Sequence, residues 1–110
     1  MLTVKELNDL GVKYLQELED KGRRFYPIKF RIKSRKSSQN YGKAIISFEK
    51  YGHDIIEINQ YMKDPEDIKN TILHEIAHLD HEARGHGHGK KKKKVARMYS
   101  NWYNTKITTT

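Results

Sequence analysis

The sequence predicts an α+β fold: an N-terminal helix, a three-stranded, mainly antiparallel sheet and two further helices, in the order αβββαα. Three observations carry this. Apolar residues recur at the helical period over residues 3–20. The period drops to two over residues 28–59. A Pro-containing helix start at Asp64 then restores the helical spacing as far as residue 103. With 110 residues the chain has room for one domain, read as spanning 1–110 with a tail that frays from about residue 105.

In the first helix Val4, Leu7, Gly11, Tyr14 and Leu18 form one face, widened by Leu10 and Leu15. Thr3 caps its start with Glu6 at the capping-box spacing, and Gly22 ends it. Ile28, Phe30 and Ile32 then alternate with Lys29, Arg31 and Lys33, a half-buried strand with a basic outer side. Ser34–Gln39 reads as a polar loop. A second strand is expected from about Lys43 to Glu49, with Ala44, Ile46 and Phe48 on one face, and a third over Ile55–Asn59. Only the turn Tyr51–Asp54 separates these two, which predicts an antiparallel hairpin.

Asp64, Pro65, Glu66 and Asp67 open the next helix with a cap, a proline at the first helical position and acids at the positive end of the dipole. It runs through Ile68, Ile72, Leu73, Ile76, Ala77 and Leu79 and ends before Gly85. A last helix from about Lys91 to Tyr103 carries Val95, Met98, Tyr99 and Trp102 as one apolar stripe. Lys92 lies on the line of that stripe, where its stem would cover the core. Thr108–Thr110 is expected to fray.

Composition removes several classes. No apolar run approaches 18 residues, which excludes a membrane-spanning helix. The start lacks the basic and apolar regions of a secretory signal. Without Cys there is no disulfide framework, thiolate metal site or Cys nucleophile, and a reducing cytoplasm fits best. Lys and Arg total 22 against 14 Asp and Glu; eight of the bases and none of the acids lie from Arg84 onward, so 14 face 14 before it. A basic block of this kind suits a polyanion such as DNA, with Lys90, Lys91, Lys93, Lys94 and Arg97 as candidate contacts and a nucleoid-associated location implied.

The sharpest signal is His74-Glu75-Ile76-Ala77-His78, an H-E-x-x-H within a helix. Two His four residues apart share a side of the helix, within reach of one zinc ion. Glu75 sits beside them as a general base. At about 100° per residue the apolar arc occupies the opposite side. Composition alone would supply this motif roughly 0.02 times in such a chain.

A catalytic zinc needs a third protein ligand and an open position. After Glu82 there is no acid, so a distal carboxylate, as in thermolysin-like enzymes, is excluded. Position 84, where a metzincin or an H-x-x-x-H-x-x-x-x-x-H endonuclease places its third His, is Arg84. His81 lies about 10 Å along the helix from His74, too far to share one ion with both motif imidazoles. Gly85-His86-Gly87-His88-Gly89 remains, where glycines let the chain fold back so that a His faces the metal.

His74-Glu75-x-x-His78, a short spacer, then His88-Gly89-Lys90 opening a helix together resemble the SprT-like metallopeptidases, which include the eukaryotic Spartan proteases. The resemblance covers about residues 40–103 and implies a minimal zincin-like core. It implies one Zn2+ per chain held by His74, His78 and His88, with His86 as the alternative ligand, and Glu75 as the catalytic base. The family's aromatic residue after the third His falls here at Lys92, and the Cys-rich zinc ribbon of many bacterial members is missing.

The implied function is zinc-dependent hydrolysis of a protein or peptide substrate, on DNA-associated proteins if the basic segment binds DNA. Ile55–Asn59, directly before the motif helix, is the candidate strand for holding the substrate extended. Two other classes would use the same residues. One is a non-enzymatic nucleic-acid-binding module; the other is a His-rich metal-handling protein with His81, His86 and His88 as extra ligands.

Overall fold

The computed structural model describes residues 1–34 and 41–107. The loop expected over Ser34–Gln39 falls, apart from Ser34, outside the described residues, as do Thr108–Thr110. The elements are α1 (Val4–Asp20), β1 (Ile28–Lys33), β2 (Gly42–Ile45), α2 (Phe48–Tyr51), β3 (Asp54–Asn59), α3 (Pro65–Leu79) and α4 (Lys90–Tyr103). The class is the expected α+β.

Helix α1 starts with the Thr3–Glu6 capping box. It buries Leu7, Gly11, Tyr14 and Leu18, whereas Val4 is left 61% exposed and Leu2 takes its place in the core. Gly11 is required by packing: a Cβ there would stand 2.3 Å from the Phe30 ring. The helix thus lies directly on β1.

The sheet order is β1-β3-β2. β2 runs antiparallel to β3 with Ala44 opposite Ile56, as the hairpin reading expects. β1 runs parallel to β3 from Ile28↔Asp54 to Lys33↔Asn59, so the sheet is mixed rather than mainly antiparallel. Alternation shows which face a residue takes but not which strand lies beside it. The second strand also ends earlier than expected. The buried Asp54 carboxylate accepts the Ser47 N–H (2.9 Å) and the Phe48 N–H (3.0 Å), which draws the chain out of the sheet into α2.

Ile56 and Ile58 are fully buried beneath α1 and α3. Lys29, Arg31, Lys43 and Glu57 stand on the opposite sheet face. In α3 the expected arc is buried: Ile72, Leu73, Ile76, Ala77 and Leu79. This helix stops at Leu79, because the Asp80 side chain turns inward to accept from Arg23 Nε (2.8 Å) and Nη2 (2.9 Å) and from the Tyr99 hydroxyl (2.8 Å). In α4 Val95 and Tyr99 are buried as expected, Met98 is half-buried, and Trp102 is 38% exposed, stacked at 6.2 Å on Tyr99.

Candidate metal centre

Helix α3 directs its apolar arc at the sheet, which leaves His74 and His78 half-buried on a different side with ring centroids 5.0 Å apart. The chain then turns twice through residues whose φ angles, 81° at Gly85 and 58° at Gly87, favour glycine. His86 supplies this turn with backbone bonds, donating its N–H to the Ala83 carbonyl and accepting the Gly89 N–H. The fold-back brings the His88 ring to 4.7 Å from His78 and 5.9 Å from His74. His74, His78 and His88 each offer a nitrogen within 4.8 Å of the other two, the one such group among the described residues. His86 is exposed and outside it; His81 is exposed with its ring against Tyr26.

The donor set suits a metal ion. Burial, with Lys92 and the two neighbouring imidazoles, pushes His78 down to a pKa of about 3, so it stands as a neutral imidazole with a free lone pair at any physiological pH. Three imidazoles converging from a helix and a loop can hold a borderline-soft divalent cation and leave a coordination position open.

Glu75 faces the same cleft and is 7% exposed. Burial pushes its pKa up to about 7, against the opposing pull of Lys92 and of the Ala44 backbone N–H. β2 closes over it. A Cβ on Gly42 would stand 3.1 Å from Glu75 Cγ and 2.9 Å from Thr71 Cγ2, so only glycine lets strand and helix approach this closely. The resulting open cleft, about 900 Å³, runs between the edge strand (Tyr41, Gly42, Ala44, Ile46) and the Asn70–His78 side of α3, with His88 across from them. The strand beside the cleft is therefore β2. Ile55–Asn59, expected in that role, is the central strand, hydrogen-bonded on both sides.

Lys92 is the residue that sequence reasoning placed only in part. It does follow the buried line of α4, but it reaches the site itself. It is 0% exposed, and its Nζ lies 3.4 Å from His74 Nδ1. Burial lowers its pKa to about 8. Of the other bases in the block, Lys90, Lys91, Lys93, Lys94 and Arg97 are exposed, with Lys94 3.6 Å from Glu82. Arg84 is not a surface cation: its guanidinium grips the fully buried Asp54 at 2.9 and 3.0 Å and lies over the Tyr26 ring.

No helix of the described residues is long and apolar enough to cross a membrane. No curated protein and no solved structure matches the chain. A family model, that of the SprT-like family, matches residues 10–110.

Proposed function

Because the chain belongs to the SprT-like family, we propose that this metallopeptidase-like domain is a zinc-dependent peptidase acting through His74, His78, His88 and Glu75. The observation that carries the reading is the convergence of three imidazoles with a buried carboxylate in one cleft under an open strand edge. His74, His78 and His88 would hold the ion. When bound, zinc supplies Lewis acidity toward a water molecule and a peptide carbonyl.

Glu75 takes the proton of the attacking water and returns it to the leaving amine. The outer edge of β2, where Glu75 holds the Ala44 N–H, would take the substrate as a short added strand beside the imidazoles. The exposed bases of α4 follow His88 in the chain. They suit substrates that sit on DNA, with the phosphate backbone held by Lys90, Lys91, Lys93, Lys94 and Arg97.

Metal content and cleavage of an unstructured protein such as casein test the reading together. Wild type should carry one zinc per chain and hydrolyse; Glu75→Gln should keep the zinc and lose about three orders of magnitude in rate. Undiminished cleavage by the variant, or wild type without metal, overturns it.

A further inference from the structure

The sheet has one covered face and one open face. α1 and α3 pack on the side that carries Phe30, Ala44 and Ile56. The register puts Lys29, Arg31 and Lys33 of β1 and Lys43 of β2 on the other side, with Ile55 and Glu57 of β3 between them. Lys29, Arg31 and Lys43 are exposed, and Ile45 and Ile55 form a half-buried floor.

Glu57 is the acid of this face. It stands in register between Arg31 and Lys43 and takes the Arg31 guanidinium at 2.8 Å. Among the described residues Lys29, Lys33 and Lys43 make no ion pair. Composition hides the patch, because acids balance bases over the residues before Arg84. Uncompensated like charges on one face repel each other, so the set does not serve the fold.

We propose that this open sheet face is a second polyanion-binding surface, separate from the bases of α4, whose partner is the phosphate backbone of double-helical DNA. The inference rests on neither the metal nor the peptidase reading. Alternate residues of a strand stand about 7 Å apart, and the two outer strands lie about 10 Å apart. β1 therefore offers a row of three cations about 14 Å long, with Lys43 to one side. Duplex DNA, with a charge about every 1.7 Å of its axis, is dense enough in phosphate to meet the row and Lys43 together. No paired residue on this face is aromatic, so single strands, which bind by base stacking, gain nothing extra here. Contacts to phosphate alone make the binding independent of sequence.

Anisotropy of a short fluorescent DNA duplex across a salt series, with the full chain, tests this. Circular dichroism checks the fold of each variant. Lys29→Gln, Lys33→Gln and Lys43→Gln together should flatten the slope of log affinity against log salt by about two to three. Arg31 is kept as the partner of Glu57. Glu57→Gln frees that guanidinium and should tighten binding and steepen the slope by up to about one. This opposite sign keeps the test decisive if the triple variant does not fold. Wild type that does not bind the duplex, a slope unchanged by the triple substitution, or weaker binding by a folded Glu57→Gln overturns the proposal. Tighter binding of a single strand of the same length overturns it too. Poly-glutamate that competes as well as the duplex at equal charge assigns the face to an acidic protein instead, and likewise overturns it.

Discussion

Two sets of buried charges at and around the motif helix are treated oppositely. Asp54 and Asp80 are saturated. Asp54 accepts from the Ser47 and Phe48 N–H groups and two nitrogens of Arg84; Asp80 accepts from two nitrogens of Arg23, the Tyr99 hydroxyl and the Glu82 N–H. Glu75 is buried nearly as deeply but has the Ala44 N–H and the more distant field of Lys92. Protonation follows the difference. Burial would raise Asp54, yet Arg84 and the two backbone donors outweigh it and hold the carboxyl below its ordinary value, while Glu75 rises to about 7. Compensated charges hold the fold together here, and the undercompensated one marks the site.

Breaking the compensated set should have the largest effect on stability. Arg84→Met leaves Asp54 buried without its guanidinium and should cost about 3 kcal/mol, measured by urea denaturation of the metal-free protein. A loss under 1 kcal/mol would mean that the pair is not an anchor and would dissolve the distinction.

The comparison sharpens as pH changes, because the two carboxyls carry opposite signs. Asp54, depressed in the fold, contributes stability above the unfolded carboxylate pKa of about 3.9, and that contribution is lost as pH falls through its lower folded value. Glu75 is raised, so it favours the fold below about pH 4.5 and gives up that advantage as pH rises through about 7. Metal-free Glu75→Gln should therefore be more stable than wild type at pH 8, by more than about 1 kcal/mol. The gap should close below pH 4.5. A variant less stable than wild type at pH 8 contradicts the assignment.

The smallest stability effect belongs to the solvated bases. Replacing Lys90, Lys91, Lys93 and Lys94 with Gln should move stability by no more than about 0.5 kcal/mol. If they bind DNA, the slope of log affinity against log salt should flatten by up to about three. An unchanged slope removes these lysines from any DNA contact. Lys92 must be left in place, since it belongs to the site.

Much of this division is legible in the residues. The caps at Thr3 and Asp64 and the arc from Ile68 to Leu79 follow from local rules, and so does the pairing of His74 with His78. The third imidazole needed more: spacing leaves His86 and His88 equal, and the backbone turn at Gly85 and Gly87 brings His88 to the pair. Ala44, Ile46 and Phe48 fit a strand by alternation, but a carboxylate at position 54 takes the backbone donors that would have extended it. Arg84 counts as surface charge in any composition, and its partner lies 30 residues away, which periodicity does not report. Periodicity does put Lys92 on the buried line of α4, but not against His74, 18 residues away.

The edge strand beside the cleft is four residues long. At about 3.4 Å per residue it spans roughly 14 Å, so under the proposed function main-chain pairing along it would reach only about four residues of a peptide. On that reading a target would have to offer a short stretch released from its own secondary structure. The same short edge carries features that guard an edge strand: Lys43 stands on the sheet face opposite the helices, the chain leaves the sheet at Ser47, and the Ala44 N–H is held by Glu75.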